Sequence, residues 1–599
     1  MSLDKYTTKN DGVINREIST DDLSDQDDVK TESKWQRFIK FIEVQPMGDL
    51  SASQMFLYNY DLKPVEEARR TWRWYNYATF WIADSFNINT WQIASSLMQT
   101  PTSLNWYTTW LSVWVGYLLA GIFLSIISRI GLNGISFPIA SRLSFGLFGS
   151  AWPIINRVVC SAVWFSVQSA VAGPTVTLML HSIFGKNLPQ RMSKELDGGD
   201  LTVYQFLGIF LFFVFQAFFL WIPPHKLKYL FTVKAYFSIF GGFGLLIWAL
   251  VKADGLGSVL SRPNGVQGSA LAWAFVESTL NALSNFATLI TNSPDFSRFA
   301  YSQKSFAMKY LVHTISIPVC FSITSLIGIL VTASAENLYG ETYWSPLEVM
   351  EKYLEHYTPG IRAGVFFIAL AFAVAQLGTN ISANSLSFGT DLTALCPRLL
   401  NIRRGSYLCL LIGLAMCPWK LISSSSTFTT YLSAYSVFLS SIAGVMASDY
   451  YYVRRGHINL PDLYSLRSPS DKSKLSMYAY NKIGVNWRAF VAYICGILPN
   501  IVGFVGATGR KVPIGAVYVY RINFFAGFFS AFIIYAILCY VFPIETGIPK
   551  LKPFEKGWFE ETHDVEHFEE DLFGHEIHHG VERYENEDDM SLLQRKEKV

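Results

Sequence analysis

Residues 113–128 read VWVGYLLAGIFLSIIS, sixteen positions without a charge, and the run continues apolar on its N-terminal side. A stretch of about 18 or more such residues has one stable environment, the hydrocarbon core of a bilayer, where it must form a helix. Runs of this kind recur at residues 75–97, 105–128, 153–180, 204–222, 229–251, 271–292, 310–333, 363–390, 405–422, 428–448, 487–506 and 517–542. They predict an all-α polytopic membrane protein with about twelve transmembrane helices. Charged residues make up 16% of the chain, whereas a soluble protein needs about 25% to keep its surface wet.

Three regions follow. Residues 1–57 contain STDDLSDQDDVKTESK (19–34), acidic and Ser-rich, and read as a disordered N-terminal tail. Residues 58–543 hold the spans, and residues 544–599 form a second acidic tail. That tail contains His563, His567, His575, His578 and His579 without a defined ligand spacing, so it reads as a solvated regulatory segment rather than a metal site. The seven cysteines show no framework spacing and read as free, buried thiols. Lys and Arg favour the loops on the N-terminal side of the membrane, which predicts cytoplasmic termini.

The informative positions are the polar ones inside the spans. AQLGTNISANS (375–385) sits in the eighth span, and Gln376, Asn380 and Asn384 recur at i, i+4, i+8 on one helix face. Such a stripe either glues helices together or lines a solute path. In the third span Trp164 and Gln168 share a face. In the first, Asp84, Asn87 and Trp91 do so, and a carboxylate at the bilayer centre costs about 2.5–3.5 kcal/mol on insertion scales. Asp84 therefore faces a water-filled cavity or an interhelical partner. The sixth span has a polar middle, Asn281 to Asn292, and is then stopped by Pro294. Interrupted helices at equivalent places in two halves point to a transporter site at the midplane. The lining expected there is aromatic and carboxamide with little fixed charge, which suits a planar heterocycle. Rings cover its faces, and each Asn or Gln pairs with an imide or lactam edge.

YNYDLKPVEEARRTW (58–72), FWIADSFNINTWQIA (80–94), SFPIASRLSFG (136–146), TNSPDFSRF (291–299), YWSPLEVMEKYL (343–354), AQLGTNISANS and SSIAGVMASDYYYVRRG (440–456) occur in this order. With them the chain resembles the fungal branch of the nucleobase–cation symporter-1 family, the uracil, allantoin and uridine permeases, from Tyr58 to about residue 561. The resemblance implies a leucine-transporter-like fold, with spans 1–5 and 6–10 as inverted repeats and two appended helices. It implies substrate-binding positions at Asn87, Trp164, Gln168, Phe286 and Asn384, where Phe286 replaces the tryptophan of the bacterial hydantoin carrier. It also implies a cation site at Ala83, Phe86, Ala375, Gly378 and Thr379, eroded because Gly378 stands in place of a hydroxyl residue. Proton symport is the expectation, with the proton as coupling ion and no cofactor.

The ionisable residues available for coupling are Lys234, Asp84, Arg157 and His313. Lys234 could stand in for the missing cation or snorkel to the interface. VWFSVQ (163–168) looks like the uracil and allantoin permeases, so uracil is the favoured substrate, with allantoin and then uridine as alternatives. The expected location is the plasma membrane. The expected partners are the bilayer and a small heterocycle, with no nucleic acid; the cytoplasmic tails are candidate sites for ubiquitin and endocytic machinery. A non-transporting sensor on the same fold is the competing class. No Ser/His/Asp set or Gly-rich phosphate loop falls in the spans, which argues against an enzyme.

Overall fold

Helices dominate because backbone groups in hydrocarbon must bond within their own segment. In the computed structural model, which describes residues 44, 52–59, 61–99, 103–196, 201–222, 228–422, 434–544, 558, 560, 565 and 568–573, eight helices are long and apolar enough to cross a membrane. Among the remaining expected spans, the first and sixth are broken within the described residues. The first divides into α1 (Trp74–Ser85) and α2 (Ile88–Ser96). The third is continuous, α3 (Ala151–Phe184), and the fifth is α4 (Lys228–Lys252). The sixth divides into α5 (Gly268–Asn285), α6 (Ala287–Thr291) and a further turn, Ser293–Ser297. The seventh is α7 (Val312–Tyr339), and the eighth comprises α8 (Pro359–Thr379), a π-helical turn Asn380–Ser385, and α9 (Leu386–Leu395). The ninth pairs Ile402–Ala415 with a 3-10 turn, and the tenth starts at Ser436 after residues outside the described set. One short antiparallel hairpin joins Glu195–Leu196 to Leu201–Thr202.

Apolar side chains such as Phe218, Phe240, Ile247 and Phe367 point outward, where a bilayer would cover them. Polar ones gather inside, and helices approach closely through glycine. A Cβ on Gly121 would sit 2.6 Å from the His313 carbonyl oxygen, so α7 packs directly on the backbone of Trp106–Gly131.

The tails need correction where they are described. Ala52–Leu57, inside the region expected to be disordered, is a helix. Arg142 donates to the carbonyls of Phe56 and Leu57 at 2.8 and 2.7 Å, and this fixes the helix against the spans. In the C-terminal segment Trp558 stacks on Tyr451, and Glu560 pairs with Arg129 (2.5 Å) and Lys309. Burial raises the Glu560 pKa, but these hydrogen bonds outweigh it and hold the carboxyl below its usual range. The histidine cluster and residues 1–43 lie outside the described residues. The cysteines carry no disulfide; Cys320, Cys409 and Cys539 are buried as expected, whereas Cys396 is exposed.

Candidate substrate site

The two breaks create the site. At the first, Phe86 leaves the helical region, Asn87 is extended, and α2 restarts at Ile88. Asn87 bridges the gap. Its Oδ1 accepts from Thr90 N–H at 2.8 Å and its Nδ2 donates to the Asp84 carbonyl at 2.6 Å, so one amide satisfies groups on both sides. Asn87 is thus a helix cap at the cavity wall. At the second break, Phe286 separates α5 from α6, and Tyr435 donates to the Ser284 carbonyl at 2.8 Å.

Between the breaks lies a cavity lined by Asp84, Asn87, Asn89, Trp164, Gln168, Asn285, Thr288, Leu289, Phe321, Thr379, Ala383 and Asn384. Its open volume of about 40 Å³ is smaller than a heterocycle, so the walls must part for a ring to enter. Of the five substrate positions implied by the sequence, four line it: Asn87, Trp164, Gln168 and Asn384. The fifth does not. Phe286 is fully buried among Trp81, Tyr117 and Phe321, with centroids 5.9, 5.6 and 4.8 Å away, and Phe321 is the aromatic ring that reaches the cavity from α7. The resemblance implies Phe286 by its position in the motif, whereas here its ring packs into that aromatic cluster. Asn89, Asn285 and Thr288 also line the cavity; Asn89 lies in the same NINTWQ stretch (87–92) as Asn87. A larger recess of about 480 Å³, lined by Tyr480, Trp487, Arg488 and Phe542, shares no residue with the cavity.

Trp164 is 8% exposed, lines the cavity and packs perpendicular to Tyr435 at 5.7 Å and 88°. Trp164→Phe is expected to keep partial transport and Trp164→Ala to lose it, since ring area carries a stacking contact. Surface-normalised uptake measures this, and normal uptake by the alanine variant would make Trp164 a packing residue.

The polar stripe on the eighth span divides by depth. Gln376 is fully buried and its Nε2 donates to Gln168 Oε1 (3.0 Å) and Asn89 Oδ1 (2.8 Å). Asn380, also fully buried, donates to the Phe165 carbonyl (3.1 Å), Ser169 Oγ (3.0 Å) and Gln216 Oε1 (2.7 Å). Asn384 alone lines the cavity, and its Nδ2 donates to Asn380 Oδ1 at 2.9 Å. The stripe divides between the two roles. Two amides bind helices and one faces the cavity.

Charge meets charge beside it. Lys234 on α4 is 2% exposed and its Nζ lies 3.2 Å from Asp84 Oδ1. It is paired rather than snorkelling. A Cβ on Gly378 would stand 2.6 Å from Lys234 Cδ, so the missing side chain at that position is what admits the lysine. Ala375, Ala83 and Phe86 are buried nearby in sequence terms on the same two spans, and Thr379 Oγ1 lines the cavity without a protein partner. His313 Nδ1 accepts from Trp81 Nε1 at 3.0 Å. Arg157 lies elsewhere, clamped between Asp391 and Asp295.

Residues 64–527 match the family described as "Permease for cytosine/purines, uracil, thiamine, allantoin". The chain belongs to this family. Its relatives include three proteins of Saccharomyces cerevisiae. The uracil permease is 49% identical over 87% of this chain and 82% of its own length. The allantoin permease is 47% identical over 95% and 92%, and the uridine permease 46% identical over 96% and 92%. Among solved structures, Mhp1, a nucleobase-cation-symport-1 family transporter in a closed conformation with bromovinylhydantoin bound, superposes with a TM-score of 0.61. It is 20% identical and covers 82% of this chain and 98% of its own. Its inward-facing form gives 0.62 at 20% identity, over 81% and 95%. The permease family and the shared fold make this protein a nucleobase-type membrane transporter rather than an enzyme.

Proposed function

We propose that the protein imports uracil across the plasma membrane by proton symport, with both termini in the cytoplasm. The observation that carries the reading is the cavity at the two helix breaks, where Trp164 and Phe321 supply rings and Gln168, Asn89 and Asn384 supply amides. A neutral imide needs those groups and no counter-ion. The one carboxylate in the lining, Asp84, already has its ammonium in Lys234, which supports a neutral solute over a charged one. The three yeast permeases lie within a few per cent of one another in identity, so allantoin and uridine stay as competitors in the assay.

Radiolabelled uracil uptake in permease-deleted yeast tests this. Uptake is expected to saturate, to be inhibited more by unlabelled allantoin than by cytosine, to fall with a protonophore, and to be indifferent to replacing sodium by choline. Gln168→Ala and Asn384→Ala are expected to abolish it with the protein still at the surface, since each unpaired edge costs about 1–3 kcal/mol, or about fivefold to 150-fold in affinity. No uptake of any of these solutes by the wild type would leave the sensor reading in its place.

A further inference from the structure

The amides around the cavity are not interchangeable, because two of them are held in one sense by main-chain groups. Gln376 Oε1 accepts from Ile88 N–H at 3.4 Å, the first free N–H of α2, while its Nε2 lies 3.4 Å from the Gln168 carbonyl. A backbone N–H can only donate and a carbonyl can only accept, so Gln376 has its nitrogen toward α3. Both Gln168 Oε1 and Asn89 Oδ1 then accept from that nitrogen, which turns their own NH₂ groups away from it. Asn89 Nδ2 is buried, has no protein partner, and belongs to a cavity-lining residue that is 2% exposed. The Phe165 carbonyl fixes Asn380 in the same way. Its nitrogen faces Phe165, Ser169 and Gln216, and its oxygen accepts from Asn384. Asn384 has therefore committed its nitrogen, and its carbonyl oxygen is left over.

We propose that Gln376 and Asn380 set the polarity of the binding site, so that Asn89 and Gln168 offer N–H donors and Asn384 offers a carbonyl acceptor to a cyclic imide. An imide edge carries one N–H between two carbonyls, the complement of two donors and one acceptor. An amidine edge, with a ring nitrogen acceptor beside an exocyclic amine, would face donor with donor and leave buried groups unpaired. A site built on hydrogen bonds rejects such a mismatch by far more than an apolar pocket could. Asn89 is a ligand position under this assignment, and Gln376 and Asn380 are positioning residues that never touch the solute. The inference rests on the imide-transport reading above and adds what enforces it.

Gln376→Glu tests the polarity. A carboxylate only accepts, so Asn89 and Gln168 must rotate their NH₂ groups toward it and show oxygens to the cavity. The expected result is a uracil Kd weakened by about tenfold or more, with the preference over cytosine lost, because three acceptors complement neither edge. Gln376→Met removes the restraint without a charge, and is expected to lower the wild-type uracil-to-cytosine preference toward unity. Competition binding of radiolabelled uracil and cytosine to total membranes reads retained protein as well as surface protein, so poor trafficking of either variant does not hide the answer. N3-methyluracil, which lacks the imide N–H, is expected to compete poorly against the wild type. If the wild type binds uracil and both variants keep its preference over cytosine, the polarity assignment is overturned while imide transport stands. If the wild type binds neither uracil nor allantoin, the transport reading itself fails.

Discussion

Arg157→Leu is expected to leave the protein inside the cell. Arg157 is fully buried, and its guanidinium takes both oxygens of Asp391, itself fully buried, while Nη1 reaches Asp295 Oδ2 at 2.6 Å. Asp295 in turn accepts from Phe137 N–H at 2.7 Å, and the guanidinium lies over the Phe137 ring at 4.3 Å. One side chain thereby joins α3, α9, the turn after α6 and the helix Phe137–Phe145. Removing it strands two carboxylates. Breaking a buried pair costs roughly 3–5 kcal/mol, a large part of the roughly 5–15 kcal/mol that separates folded from unfolded protein. Fluorescence of a C-terminal fusion should shift from the cell rim to internal membranes. Arg157→Lys should recover only part of the surface signal, because an ammonium cannot fork between two partners. Surface signal and uptake at wild-type level in Arg157→Leu would mean the cluster is dispensable.

Asp391 shows where the sequence was opaque. It sits in LSFGTDLTAL, one carboxylate in an apolar run near the expected end of a span, with nothing local to mark it as the partner of a residue 234 positions away. Asp84, Lys234 and Arg157 were visible individually for the opposite reason. A charge inside a long apolar run stands out, whereas its pairing is set by tertiary packing that periodicity does not carry. The breaks were readable in the first and sixth spans because polar residues cluster where helical bonding stops. The packing of Phe286 was not, since its ring lies among Trp81, Tyr117 and Phe321, which come from three other segments. The stripe at 376, 380 and 384 was correctly placed on one side of its helix, but the π-helical turn at Asn380–Ser385 decides which member faces the cavity. The membrane class, the all-α fold and the four cavity-lining positions from three different spans were within reach of residue pattern and resemblance. The amide network behind them was not, because it consists of contacts among α2, α3, the helix Val203–Leu220 and the eighth span.

Lys234→Met is expected to have the second large effect, on coupling rather than on folding. The ammonium sits 3.2 Å from Asp84 Oδ1, and Asp84 also lines the cavity, so the pair links the solute site to a second buried charge. Lys234 occupies the space that Gly378 leaves, on the span that the resemblance assigns to a cation site. Under the proton-symport proposal, a tethered cation at that position would make external sodium redundant, and exchange of one proton within the pair would tie its charge to the position of the helices. Methionine matches the stem of lysine and removes only the charge. Uptake by Lys234→Met should become insensitive to external pH and to protonophore, with uracil still bound by total membranes. Left alone, Asp84 would be an uncompensated buried carboxylate, so Lys234→Met with Asp84→Asn should restore surface expression if the single variant loses it. Gly378→Ala gives an independent reading: a Cβ 2.6 Å from Lys234 Cδ must displace the lysine, and pH dependence should weaken while the pair's residues stay intact. Sodium-dependent uptake, or unchanged pH dependence in Lys234→Met, would take the lysine out of the mechanism and leave Asp84 as the proton carrier.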